Sequence, residues 1–325
     1  MSDRASVLVE APARLHFGVL DLRGQLGRCF GGLGAAIPSP SLLLEASPSP
    51  EVAAQGPDAG RAAEFARRFL AFHRLAGGVH LTVHRTIPSH AGLGSGTQLG
   101  LAVGRALAEL HGLSPDPVEL ARATDRGKRS AIGTWTFALG GFIVEGGRRP
   151  GSTGLAPLLA RFAIPENWYC VVAVPSGRRG LSGDAEARAF EELPSPPEGD
   201  VERVAHLVLM QLLPALVEAD LPSFGQALSE IQRITGSWFA GQQGGVFAPG
   251  DTERLVSAMA GWGAAGVGQS SWGPAAYGLV EGAQAAGELA DRARHAVGPG
   301  GSVFEGGFAA QGARLWWSSE PRTAD

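Results

Sequence analysis

The chain has 325 residues, enough for two domains or one large one, and its 27 lysines and arginines against 31 acids leave a formal charge of −4. That balance excludes a basic field for sequence-blind nucleic-acid binding, and 44% hydrophobic residues exclude a disordered chain. A single cation, Lys128, is a lysine, so any chemistry that needs a lysine must use it.

Val7 to Ala11 predicts a first strand ending at Pro12, followed by a long glycine-punctuated loop reaching Ala36. Ser41 to Ala46 predicts a strand, residues 47–60 a surface loop, and Ala62, Phe65, Phe69 and Phe72 one face of a helix. Val79 to Arg85 alternates as a half-buried strand does. After a loop from Pro88 to Gly96, Leu99, Val103, Ala106, Leu107 and Leu110 form one apolar stripe, the clearest helix in the chain, stopped at His111-Gly112. Phe142 to Glu145 and Tyr169 to Val174 predict strands. A Pro/Ser/Glu-rich stretch at 194–199 sets the domain boundary, giving domains 1–195 and 196–325. Beyond it come helices at about 201–218, 223–234 and 252–261, a glycine/serine loop from Gly266 to Gly273, a strand from Ala275 to Val280 and a helix ending at His295. Strands and helices alternate in both halves, which favours α+β or α/β. Cys29 and Cys170 lie in no disulfide or zinc spacing, and no targeting segment or long apolar run is present, so a cytoplasmic protein without membrane contact is expected.

The strongest local signal is Pro88-Ser-His-Ala-Gly92-Leu-Gly94-Ser95-Gly96-Thr97-Gln98, a glycine turn between a strand and the clearest helix. Such a turn lets backbone N–H groups and the positive helix end close on a phosphate. It lacks the lysine of a P-loop and the glycine spacing of a dinucleotide fold. The residues alone leave two readings, a phosphate cradle or an ordinary loop whose helix is capped by Ser95 or Thr97.

This segment resembles the second motif of the GHMP kinases, the superfamily of galactokinase, homoserine kinase, mevalonate kinase and phosphomevalonate kinase. Ala11-Pro-Ala-Arg14-Leu-His16-Phe-Gly18 resembles their first motif, and Gly266-Val-Gly268-Gln269-Ser270-Ser271-Trp272-Gly273-Pro274 stands where their third lies. Gly96-Thr97 and the Gln-Ser-Ser-Trp-Gly-Pro block depart from the kinase pattern. Together with Arg126-Gly127-Lys128-Arg129-Ser130-Ala131-Ile132-Gly133, residues 140–147 and Gly180-Leu-Ser-Gly-Asp184, they are similar to one branch, the β-ribofuranosylaminobenzene 5′-phosphate synthases of methanopterin biosynthesis.

The resemblance implies a two-domain α+β fold, with an N-terminal domain like domain 2 of ribosomal protein S5 and a ferredoxin-like C-terminal domain, and a homodimer. It implies decarboxylating transfer of phosphoribosyl from phosphoribosyl pyrophosphate to 4-aminobenzoate, or to a 4-hydroxybenzoate analogue, with Mg2+ and no organic cofactor. An anionic donor calls for the turn at Gly92, Gly94, Ser95, Gly96 and Thr97 and for the cations Arg126, Lys128, Arg129, Arg178 and Arg179. An oxocarbenium-like ribosyl carbon calls for a carboxylate, with Asp21 and Asp184 ahead of Asp125 and Glu145. Lys128 joins the two aspartates as a candidate catalytic group. A flat acceptor calls for an aromatic wall, Trp272 ahead of Trp135 and Phe137, with Gln269, Ser270 and Ser271 beside it, and Arg14 and His16 as substrate donors. Two rivals stay open: a kinase using ATP and Mg2+, and a catalytically silent member that binds a phosphorylated metabolite.

Overall fold

The structure, a computed structural model, describes residues 6–177, 180 and 188–318. Asp184, Arg178 and Arg179 lie outside the described residues. Two antiparallel-rich sheets carry the fold. The first has the path β11 (Arg314–Trp317), β1 (Val7–Asp21), β2 (Phe30–Ser49), β4 (Gly78–Arg85), β3 (Ala53–Gln55), with β5 (Phe142–Glu145) on β2 and β6 (Leu158–Phe162) on β5; the second runs β10 (Ser302–Gly306), β7 (Trp168–Val174), β9 (Ala276–Glu281), β8 (Gly266–Gln269).

The first sheet is built around β1 (Val7–Asp21) and β2 (Phe30–Ser49), paired along nearly their whole length. The predicted long loop between Pro12 and Ala36 is therefore mostly strand. Proline and glycine misled the sequence reading because the pairing absorbs them in irregularities, one register shift at Pro12/Ala13 and one between His16 and Gly18. The second shift leaves Phe17 unmatched in the ladder, and its ring packs on Phe142 and Tyr277 at 6.0 and 5.2 Å. β3 (Ala53–Gln55) interrupts the predicted surface loop, and β4 (Gly78–Arg85) and β5 (Phe142–Glu145) lie as predicted. β6 (Leu158–Phe162), an edge strand with only half-buried or exposed side chains, had too weak an apolar pattern to read.

Helices α1 (Ala59–His73) and α2 (Ser95–Leu110) pack together, α1 against β4 and α2 against β1 and β2, burying Phe65, Phe69, Leu99, Val103 and Leu107. Two short helices that lack a long stripe, α3 (Pro117–Ala123) and α4 (Ile132–Leu139), flank α2. The Asp116 side chain caps α3 by accepting from the Glu119 amide at 2.8 Å.

β7 (Trp168–Val174) shows the period of two: Trp168, Cys170 and Val172 join the larger core, Val171 and Ala173 the smaller. The smaller core is closed by α8 (Asp251–Gly261) and α9 (Ala283–Val297) over β8 (Gly266–Gln269) and β9 (Ala276–Glu281). The predicted glycine/serine loop thus begins as strand β8. On the other face, α5 (Glu198–Leu207) runs through a π-helical stretch at Val208–Leu212 into α6 (Leu213–Val217), and then α7 (Leu221–Gln243) lies across β8 and reaches β1. Midway along α7, Gln232 donates to Phe17 O at 2.6 Å and accepts from the Gln269 amide at 2.8 Å, tying the two sheets together.

The predicted cut at residue 195 does not separate the sheets. β7 precedes it yet belongs to the second sheet with β10 (Ser302–Gly306), and β11 (Arg314–Trp317) returns to pair with β1. Glu10 on β1 holds that return, accepting from Arg314 and, at 2.7 Å, from Arg85. Among the described residues no helix is long and apolar enough to cross a membrane.

Candidate functional site

A cavity of about 880 Å³ opens where the two sheets meet, and residues from all three motifs line it. Among the described residues Arg14, Arg61, Arg68, Arg126, Lys128, Arg129 and Arg148 line it, against two carboxylates, Asp125 and Glu191. Such an excess of cations in one concavity concentrates anions.

One face is the glycine turn. Gly92 has φ +79°, and a Cβ there would stand 2.1 Å from Ser270 O, so only glycine permits this approach of the second motif to the third. Ser270 fastens the junction: its hydroxyl donates to Gly92 O at 2.7 Å and accepts from the His16 amide at 3.0 Å. Arg14 also donates to Gly92 O. Gly94 is the N-cap of α2 in the left-handed region, with no side-chain cap. The alternative in which Ser95 or Thr97 caps the helix is therefore not what forms; the Thr97 and Gln98 amides both donate to Gly94 O at 3.0 Å, which leaves the Ser95 and Gly96 amides at the helix end without an intrahelical acceptor.

Two guanidinium groups stand over this helix end. A Cβ at Gly96 would lie 2.5 Å from Arg61 Nη2 and 3.6 Å from Arg126 Nη1. Arg61 is held by Asp58 at 3.3 Å and Ser89 at 3.2 Å, and Arg126 lies over the Phe65 ring at 4.9 Å. Burial, and in smaller measure the neighbouring Arg61 and Arg68, lowers the pKa of Arg126, and its buried Nε takes no partner among the described residues. An anion between them would relieve both costs. Arg61 escaped the sequence reading because it lies on the polar side of α1, outside every motif.

The other face is aromatic. Trp272 meets Phe239 at 4.9 Å and Phe190 at 5.5 Å, and Phe190 meets Phe30 at 5.6 Å, all near edge-on. Arg129 lies over Phe190 at 5.9 Å and Arg148 over Phe30 at 6.0 Å. Trp272 takes the predicted place; Phe30, Phe190 and Phe239 do not belong to any motif, and chain separation hid them. Trp135 and Phe137 are elsewhere: Trp135 Nε1 donates to Ala156 O at 2.9 Å, and Phe137 is buried in the core.

Other predicted residues take different roles. Asp21 does not line the cavity; it closes a turn by accepting from the Arg23 and Gly24 amides at 2.6 and 3.0 Å. Ser270 is not a substrate donor, since its one hydrogen is committed to Gly92 O. Gln269 likewise braces the site, accepting from the Ala248 amide at 2.7 Å and donating to Ser271 O at 2.9 Å. Ser271, at φ +54°, lines the cavity. Lys128 reaches the rim, exposed and paired with Asp125 at 2.7 Å. His16 is buried, and desolvation together with Arg14 lowers its pKa to about 3. Glu145 is wholly buried below the site; burial raises its carboxyl pKa, against the Gly147 and Ala131 amides that favour the charged form.

Comparisons with known proteins give the family and the fold. The family pattern described as GHMP kinases N terminal domain matches residues 59–141, and GHMP kinases C terminal matches 212–299. The β-ribofuranosylphenol 5′-phosphate synthase of Methanothermobacter thermautotrophicus is 36% identical over 322 residues, covering 93% of this chain and 96% of its own. The chain belongs to this synthase family. The synthase of the same name from Archaeoglobus fulgidus is 34% identical, covering 84% of this chain and 87% of its own. This synthase-family enzyme shares its fold with the homoserine kinase of Cytophaga hutchinsonii at TM-score 0.73 and 18% identity, with 97% and 98% of the two chains covered. It also shares it with the phosphomevalonate kinase of Streptococcus pneumoniae, at TM-score 0.66 and 14% identity, covering 93% and 99%. The GHMP kinase fold, expected from three short motifs, is the fold of the whole molecule.

Proposed function

We propose that the enzyme transfers the 5-phosphoribosyl group of phosphoribosyl pyrophosphate to the carboxylate-bearing carbon of a 4-substituted benzoate, releasing CO2 and diphosphate. The observation that carries the reading is the two-faced cavity, in which a glycine turn under paired arginines adjoins an aromatic wall with its own arginines. The relatives' name specifies a phenol product, which favours 4-hydroxybenzoate over 4-aminobenzoate as the acceptor. The step would be the C-riboside-forming one of methanopterin biosynthesis.

In this reading Gly92 to Thr97, Arg61 and Arg126 bind phosphate oxygens and stabilise the charge that develops on departing diphosphate. Phe190, Phe239 and Trp272 stack the ring, while Arg129 and Arg148 face its carboxylate until the carbon–carbon bond to ribose forms and CO2 leaves with its proton never required. No cluster of three metal-ligating side chains occurs among the described residues. Mg2+ fits in a different way, since it is commonly held by one or two carboxylates together with substrate phosphates, and Asp125 and Glu191 face the cavity. When bound, the ion would neutralise diphosphate charge.

The test is release of CO2 from carboxyl-labelled 4-hydroxybenzoate or 4-aminobenzoate with phosphoribosyl pyrophosphate and Mg2+. Release that needs both substrates is the expected result. No release, with ATP but not phosphoribosyl pyrophosphate raising the melting temperature, would leave a kinase instead. Sedimentation at twice the 33.5 kDa chain mass would support the homodimer.

A further inference from the structure

Among the described residues three helices begin just after an aspartate, and one of the three carboxylates does not serve its helix. Asp116 before α3 and Asp220 before α7 accept from the amides three residues on, Glu119 at 2.8 Å and Ser223 at 3.1 Å, as helix-capping aspartates do. Asp58 before α1 makes no such bond, and its backbone sits in the left-handed region at φ +59°, uncommon for a residue with a side chain. Its carboxylate is turned elsewhere. Oδ1 accepts from Arg61 Nη1 at 3.3 Å, and Oδ2 accepts from the Ser89 hydroxyl at 2.9 Å, with Thr86 Oγ1 at 3.2 Å from the same atom. Ser89 closes the ring by accepting from Arg61 Nη1 at 3.2 Å.

All of these bonds to Arg61 fall on one nitrogen of its guanidinium. Nη1 is committed to Asp58 and Ser89, while Nη2 takes no hydrogen bond among the described residues and stands 2.5 Å from where a Gly96 Cβ would be. Gly96 lies in the first turn of α2 with ordinary helical backbone, so nothing in its own conformation requires glycine. The space requires it: a methyl there would strike Arg61 Nη2, yet would only touch Arg126 Nη1 at 3.6 Å. The obstacle is the tip of a flexible side chain, so an alanine would push Arg61 aside and leave the helix in place. Local stability is thus given up twice, in a helix cap at Asp58 and in a better helix former at residue 96, and both losses end at one guanidinium.

We propose that Asp58 is a positioning residue that, with Ser89, aims Arg61 Nη2 at the start of α2, and that Gly96 is the residue whose missing side chain gives that guanidinium its place. The anion held there is a phosphate group of the donor, which rests on the phosphoribosyl-transfer reading above; the packing of Arg61 on Gly96 does not. The sign of one substitution separates positioning from charge alone. Asp58 is a negative charge one hydrogen bond from a cavity-lining arginine, so its field opposes an anion, and removing that charge would tighten binding if Asp58 did nothing else. If Asp58 holds Arg61 in place, removing the charge weakens binding.

The experiment is calorimetry of inorganic diphosphate with the full chain at fixed ionic strength, together with melting temperatures, for wild type, Asp58→Asn, Gly96→Ala, Arg61→Ala and the two double variants that carry Arg61→Ala. Asparagine tolerates the left-handed backbone, so Asp58→Asn removes the charge and keeps the turn. It is expected to weaken diphosphate about threefold. Gly96→Ala is expected to weaken it about tenfold, the loss of one charge-assisted hydrogen bond, while melting no lower than wild type because alanine is the better helix former. Neither change should weaken binding further once Arg61 is alanine. Unchanged or tighter binding in Asp58→Asn, unchanged affinity or a lowered melting temperature in Gly96→Ala, or equal losses in the Arg61→Ala background would overturn the proposal. Failure of the CO2 assay with these results intact would remove the ribosyl transfer and leave Arg61 as a positioned anion-binding group.

Discussion

The glycine-turn face and the aromatic face of the cavity use opposite means. At the turn, the cavity is lined by glycine backbone and guanidinium groups, and the geometry depends on atoms that are absent, such as a Cβ at Gly92 or Gly96. At the aromatic face, binding would rest on side-chain area supplied by four rings from separate parts of the chain. The first should therefore fail abruptly when one atom is added, and the second gradually as area is removed.

The sharpest break expected is Gly92→Ala. The new methyl meets Ser270 O at 2.1 Å in a backbone conformation that alanine resists, so the turn must move and turnover should fall on the order of 100-fold. Stopped-time CO2 release measures it. Next, Arg126→Ala and Arg61→Ala should each raise the KM for phosphoribosyl pyrophosphate by roughly ten- to a hundredfold while leaving that for the benzoate unchanged, since each removes charge-assisted hydrogen bonds. Equal effects on both substrates would erase the distinction between the faces.

Phe239→Ala should do the reverse, raising the benzoate KM about tenfold and leaving the donor KM alone. Lys128→Ala should raise the donor KM only about threefold, because the lysine is exposed at the rim and already paired with Asp125. A different readout is stability. His16 titrates near 3 when folded and near 6.5 when unfolded, so below pH 6.5 the unfolded chain takes up the proton that the folded one refuses. Its contribution is present above pH 6.5 and is lost as pH falls toward 3. Denaturant titrations of His16→Gln should show a shallower decline over that window than wild type; parallel curves would contradict a neutral buried imidazole.

Much of this was legible in the order of residues. The stripe from Leu99 to Leu110 gave α2, the alternation from Val79 to Arg85 gave β4, and Gly92, Gly94 and Gly96 marked the turn because local backbone needs are written locally. Strand β1 was less legible, since Pro12 and Gly18 read as breakers until pairing with β2 places them at register shifts. Asp21 shows the opposite error: an acid beside a motif proved to be a turn residue satisfied by its neighbours' amides.

The sequence by itself thus determined the family, the α+β class and the place of the glycine turn, all properties of short contiguous segments. Only the tertiary structure decided that Arg61 joins Arg126 over α2, that Phe30, Phe190 and Phe239 gather around Trp272, and that Ser130 meets His16. The reason is physical: these groups meet through the packing of α1, α7 and β5 around one hairpin, and no periodicity along the chain encodes which distant side chains will share a cavity.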